Sequence, residues 1–178
     1  MDDKLVLRAF REEDLEFLDR LCTDPDALGQ FGWTGFIDPL ARRRRWEKDG
    51  YVGPEMTALA VVAGDGVLVG VVSYRAALRS RTAGACYEIG VALLPGHRGR
   101  GLGTAAQRLL VDYLFDYTTV NRLEALTDRQ NYAEQKALER VGFQREGVLR
   151  GSYFHRGAWR DQVIYAVVRR DARPTAQE

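Results

Sequence analysis

The chain has 178 residues, 46% of them hydrophobic, and a formal net charge of +1. That length supports one well-buried domain and is short for two, and the near-neutral charge excludes a dominant electrostatic hold on nucleic acid or membrane, leaving local patches open. No apolar run reaches the roughly 18 residues of a membrane span, and the opening MDDKLVLRAF lacks the order of a secretory signal, so a soluble, cytoplasmic protein is expected.

Lys4 to Phe10 alternates Leu5, Leu7 and Ala9 against Val6 and Arg8, the pattern of a first strand. Arg11 to Leu21 puts Leu15, Phe17, Leu18 and Leu21 on one side of a helix, with Glu12, Glu13 and Asp14 favourable in its first turn. Thr23 to Ile37 reads as a long loop rich in glycine and aromatics, in which Phe31, Trp33 and Phe36 either wall a binding site or cap the core. Asp38-Pro39 supplies an N-cap and a proline at the first helical position, and Gly50 a stop. Between them Arg42 to Arg45, at about 100° per residue, spread around the helix; this fits a solvated surface better than a patch for an acidic ligand or RNA. Trp46 is expected to anchor this helix. Met56 to Ala63 and Val67 to Leu78 are β-rich runs joined by the hairpin signal Gly64-Asp65-Gly66, and Arg79 to Gly84 is a polar loop. Cys22 and Cys86 lack metal-ligand spacing and read as buried small hydrophobes.

Glu88 to Leu94 reads as a strand, Pro95 to Gly103 as a glycine- and arginine-rich loop, and the following stretch as a helix with Ala106, Leu109, Leu110, Tyr113, Leu114 and Tyr117 on its apolar face. Gly99, Gly101 and Gly103 let the main chain come close to a ligand, and the N–H groups of the helix start form an anion site beside Arg98 and Arg100. A phosphate or pyrophosphate is the expected ligand. Rossmann spacing requires Gly-x-Gly-x-x-Gly after a first strand, and a P-loop requires a lysine where Gly103-Thr104 has none. Arg122 to Thr127 alternates as a strand, Asp128 to Gln130 turns, and Asn131 to Val141 is a helix ended by Gly142, with Phe143 packing back. Gln144 to Phe154 and Ala158 to Arg169 are two long strands around His155-Arg156-Gly157. The order is that of an α/β layer on a mixed sheet, one domain over 1–170 with a flexible tail over 171–178.

The motif Arg98-x-x-Gly101-x-Gly103 after a strand ending in proline resembles the pyrophosphate signature of the GNAT superfamily of acyl-CoA-dependent N-acetyltransferases. The block from Asn121 to Val167, with its Asn-containing turn, Gly142-Phe143, Gly147-x-x-Arg150 and Trp159-x-Asp161-x-x-x-Tyr165, is similar to the RimJ/RimL-like branch, which acetylates ribosomal-protein N-termini. The resemblance runs from Leu5 to Arg170. It implies a mixed, mostly antiparallel sheet flanked by helices, in which a splayed parallel strand pair holds acyl-CoA. Val91, Ala92 and Leu93 are then expected to bond the pantetheine arm through their backbone, and Arg98, Gly99, Arg100, Gly101, Leu102, Gly103 and Thr104 to hold the pyrophosphate. Asn131 reaches the pantetheine arm or an ordered water, or caps its helix; the two roles are compatible. Trp33 and Phe36 wall the amine side.

The implied reaction is direct attack of a neutral amine on acetyl-CoA, without a metal. Deprotonating an α-amine at pH 7.4 costs about 0.5 kcal/mol, against about 4 for a lysine, so an α-amine needs little help. Glu88 shares a strand face with the small residues Gly90 and Ala92 and is the candidate base, with a plain salt-bridge partner as the alternative. Two positions depart from the family: Leu138 stands where some members carry a tyrosine acid, and Glu134 where the branch usually has a serine. Tyr153 then serves as the acid, the thiolate leaves unprotonated, or the protein binds acyl-CoA without fast turnover. Three readings follow: an N-acetyltransferase for a protein N-terminus or small amine, an acyl-CoA-binding regulator, and a ribosome-associated module. A homodimer is compatible with all three.

Overall fold

The computed structural model describes residues 4–77 and 85–172; the expected loop Arg79 to Gly84, Leu78 and the tail beyond Ala172 lie outside them. Seven strands, numbered in chain order, are β1 (Val6–Arg8), β2 (Met56–Val62), β3 (Leu68–Ala76), β4 (Cys86–Leu93), β5 (Arg122–Asp128), β6 (Gln144–His155) and β7 (Ala158–Val168). They form one sheet in the order β1-β2-β3-β4-β5-β7-β6, antiparallel at every step but one. The exception is β4 with β5, which a helical crossover joins in parallel.

That parallel pairing is short. Cys86, Tyr87 and Glu88 match Arg122, Leu123 and Glu124, and the ladder stops there, although β4 continues to Leu93 and β5 to Asp128. On its other side β4 stays paired with β3 as far as Leu93. The two parallel strands therefore splay beyond Glu88, and the main-chain groups of β4 that face β5 lose their ladder partners. Unpaired edge groups of this kind accept an added extended ligand.

Helices cover both faces. On one, α4 (Leu102–Tyr117) and α5 (Tyr132–Val141) bury Leu110, Leu114 and Leu138 against Val72, Ile89 and Leu123. On the other, α1 (Leu15–Thr23), α2 (Pro25–Gly32) and α3 (Pro39–Asp49) close over Phe10, Tyr51, Ala60 and Val62. Each fully buried leucine adds roughly 1.5–3 kcal/mol. A four-residue helix, α6 (Arg169–Ala172), follows β7. Gly50 and Gly142 end α3 and α5 in the left-handed conformation, as their positions predict.

Two expectations are corrected. Pro25–Gly32 is helical, broken by a kink at Gly29, and not a loop: Asp24 caps it by accepting from the Asp26 N–H at 3.0 Å and Pro25 opens it, the same Asp-Pro signal that marks α3. Gly29 and Gly32 mask the helical pattern there. The buried face of α4 is also rotated from the predicted one: Gln107, Val111 and Phe115 are buried with Ala106, Leu110 and Leu114, whereas Tyr117 is 78% exposed and Leu109 and Tyr113 are partly so. The four arginines of α3 do go separate ways. Arg42 donates to Cys22 Sγ, Arg43 and Arg44 pair with Glu12 and Asp38, and Arg45 bonds the Met56 carbonyl. Trp46 anchors α3 through its indole N–H on the Phe10 carbonyl. Cys22 and Cys86 are buried free thiols, and burial, then the charge of Glu124, pushes Cys86 up to about 11.

Candidate active site

The splay opens a cleft of about 660 Å³, lined by β4 from Ile89 to Leu93, by the glycine loop, by β5 from Ala125 to Asp128, and by the start of α5. The loop leaves β4 through a 3-10 turn at Pro95–His97, and Gly99 and Gly101 take φ of +75° and +82°. Side chains are strained at such angles, which is why glycine stands there. Gly101 is the N-cap of α4 and no side chain caps that end. The first intrahelical bond is from the Ala105 N–H to the Gly101 carbonyl, so the N–H groups of Leu102, Gly103 and Thr104 are left for an anion. Val91, Ala92, Leu93, Arg98, Gly99, Gly101, Gly103, Thr104 and Asn131 all line the cleft. Arg100 is exposed outside the lining, and the Leu102 side chain is core, so only its backbone can serve.

Arg98 lies in the cleft wall, but its guanidinium is directed elsewhere than the predicted pyrophosphate. Nε donates to the Leu93 carbonyl at 2.8 Å, and Nη2 to the carbonyls of Asp26 at 3.2 Å and Ala27 at 2.6 Å. It fastens α2 to the end of the cofactor strand. Gly29 accommodates this with φ of +71°, and a Cβ there would lie 2.8 Å from Arg98 Nη1. A second tie holds the other end, where buried His155 Nε2 is 2.7 Å from the Gln30 carbonyl. Arg98→Ala removes three hydrogen bonds from a cation and is expected to cost about 1–2 kcal/mol in chemical denaturation. An unchanged midpoint would show that the tie carries no stability.

The roof so fixed presents Gln30, Phe31 and Gly32 to the cleft. Trp33 and Phe36, the predicted walls, meet edge to face with centroids 5.4 Å apart and do not line it; Phe36 is 81% exposed. Glu88 is likewise outside the lining. It sits opposite Arg75 on β3 and pairs with it at 2.6 Å, the salt-bridge alternative.

Tyr153 does line the cleft, with Asp128 and Gln162. Its hydroxyl donates to Asp128 Oδ2, and Asp128 also accepts from the Gln130 N–H at 2.6 Å and lies 3.5 Å from Arg160. Burial would raise the Asp128 carboxyl, but these donors outweigh it and hold it below the usual carboxylate range. Burial and the bond to that carboxylate push the Tyr153 phenol upward, so it stays protonated. Asn131 caps α5, its side-chain oxygen accepting from the Glu134 N–H at 3.3 Å, while facing the cleft.

Glu134 is the residue sequence reasoning passed over. It lines the cleft from the first turn of α5, and its one side-chain partner among the described residues is neutral: Gln107 Nε2 on α4, 2.7 Å from Oε1. Burial pushes its carboxyl up to about 7. The only signal in the sequence was negative, a carboxylate where a serine was expected. Asp128 was hidden in the same way, read as the first residue of a turn when it is the last of β5.

A strand edge opened by splay lies beside a helix start whose N–H groups no side chain caps, the arrangement that an extended arm ending in a pyrophosphate requires. Residues 4–144 match the acetyltransferase (GNAT) domain, so the chain belongs to that family: it carries an N-acetyltransferase domain whose donor is acetyl-CoA. It is 35% identical over 109 residues to the probable N-acetyltransferase YjcK of Bacillus subtilis, a match spanning 61% of this chain and 59% of that one. With the uncharacterized N-acetyltransferase p20 of Bacillus licheniformis it shares 26% identity over 95% of each. The fold matches the spermidine N-acetyltransferase of Vibrio cholerae in complex with CoA and spermine, with a TM-score of 0.83 at 18% identity, over 94% of this chain and 97% of that one.

Proposed function

We propose that the domain works in the cytoplasm as a RimJ/RimL-like enzyme, acetylating the free α-amine of a protein or peptide N-terminus. The observation that carries this is the splay: it gives the thioester arm an unpaired strand edge and leaves Gly90 and Ala92, with almost no side chain, facing the acceptor. The neutral amine attacks the thioester carbonyl carbon, and the backbone N–H of Val91 or Ala92 stabilises the oxyanion. Because roughly a fifth to a third of an α-amine is neutral at pH 7.4, no strong base has to reach it, which agrees with Glu88 being paired to Arg75. Tyr153 and Asp128 form a rigid polar floor that orients the acceptor.

A polyamine acceptor is the second reading, motivated by the fold shared with the Vibrio cholerae enzyme. Local charge argues against it. A polycation needs carboxylates to spare, whereas Asp128 is taken by Tyr153, Gln130 and Arg160, and Arg129 stands next to it, paired with Asp161. In a panel of short peptides with free N-termini, the same peptides blocked, and spermidine, followed by thiol release, kcat/KM for a free peptide is expected to exceed that for spermidine at least about tenfold. The opposite ranking selects the polyamine reading, and no turnover with any amine selects an acyl-CoA-binding regulator.

A further inference from the structure

We propose that Glu134 is the general acid of the reaction, the group that gives the departing CoA thiolate its proton. This deepens the reading above and rests on it. The cleft lining holds three carboxyl or phenol acids, Tyr153, Asp128 and Glu134, beside the more weakly acidic cations Arg98, Lys136 and Arg140. The Tyr153 hydroxyl is committed to Asp128, and Asp128 is held ionised by its donors. Glu134 is left.

Its surroundings leave it about half protonated at pH 7. The first turn of a helix favours a carboxylate, yet here burial with a single neutral partner acts the other way and wins. The charged groups on the elements around it are Arg108 on α4, Lys136 and Arg140 on α5, Asp128 on β5 and Arg98 in the glycine loop; none of them forms an ion pair with Glu134 among the described residues. Gln107 supplies the second observation. Its side chain is 1% exposed, its Nε2 is the Glu134 partner, and its Oε1 is buried without a hydrogen bond. A half turn of that amide presents the orphan oxygen to an acid O–H, so Gln107 can partner either protonation state of Glu134. Two carboxyls in one cleft, one held low and one raised, is the arrangement by which sites divide acid and base roles.

The balance is simple. The amine nitrogen forms a bond to the carbonyl carbon, and the carbon–sulfur bond breaks with its electron pair on sulfur. The Glu134 proton passes to sulfur, downhill from a carboxyl at about 7 to a thiol with an ordinary value near 8.5. The proton shed by the amine goes to water, and Glu134 is reprotonated from solvent. The products are the amide and free CoA thiol.

Glu134→Gln keeps the shape and the Gln107 contact but holds no acid proton. With a peptide amine, wild-type kcat is expected to fall on the alkaline side, where Glu134 has lost its proton. In the variant that fall should disappear and the plateau should drop on the order of 100-fold, with acetyl-CoA affinity unchanged by calorimetry. A readout free of turnover is carbon NMR of labelled glutamate carboxyls in the unliganded protein: one resonance should titrate near 7 and be missing from the variant. An alkaline fall that survives Glu134→Gln, or a Glu134 carboxyl that titrates in the ordinary range near 4.3, overturns the proposal. Failure of the functional reading is told apart, because the wild type then prefers spermidine to free peptides or releases no thiol with any amine.

Discussion

Gly103→Asp is expected to abolish acetyl-CoA binding, raising Kd at least about 100-fold in calorimetric titration. Gly103 lies in the first turn of α4, where uncapped N–H groups form the anion site. A carboxylate about 5 Å from a phosphate charge is repelled by roughly 3 kcal/mol at an effective dielectric of 20, and a pyrophosphate carries more than one charge. The site permits the charge to be separated from the steric effect. A Cβ on Gly103 meets only Leu93 Cδ1, at an ordinary 3.6 Å, so Gly103→Ala should bind within a few-fold of wild type. At Gly101 the same comparison is confounded, because its φ of +82° strains any side chain. Undiminished affinity in Gly103→Asp would remove the pyrophosphate from this loop.

Leu138→Ala is expected to cost 2–5 kcal/mol in chemical denaturation. Leu138 is fully buried where α5 meets the sheet, in one cluster with Phe143, Val163 and Tyr165. Loss of under about 1 kcal/mol would mean that this end of α5 is not packed as described. The position has a second meaning. Some relatives of this fold are expected to carry a tyrosine acid there, and in this chain it points into the core. Leu138→Tyr would therefore overpack the core before it supplied a proton donor, which is consistent with the acid having moved one turn back, to Glu134.

Alternation and helix punctuation made most of the architecture legible. Gly50 and Gly142 stop helices where they were expected to, and Arg122 to Asp128 forms the strand parallel to β4. The glycine loop's backbone was legible because its pattern is local: the positive-φ glycines and an uncapped helix start are consecutive in the chain. What stayed hidden is long-range. Arg98 looked like a phosphate ligand because it belongs to the loop motif, yet its partners Asp26 and Ala27 are some 70 residues away. Glu88 looked catalytic because strand alternation gives a face but not the neighbour on that face, which is Arg75. Glu134 owes its raised carboxyl to burial, which outweighs the opposing hydrogen bond from Gln107, and its own helix announces neither. Trp33 and Phe36 were assigned to the cleft because the resemblance puts that region on the amine side, and here their rings meet each other outside the lining.

The two ties on α2 also bear on redesign. Three residues that line the cleft, Gln30 to Gly32, ride on a segment whose backbone carbonyls are held by Arg98 at one end and His155 at the other. A graft of Pro25–Gly32 into another scaffold of this fold should keep its own geometry only if those two side chains travel with it, since neither is contiguous with the transplanted piece. The transferable unit for specificity is thus three fragments, one from each third of the chain.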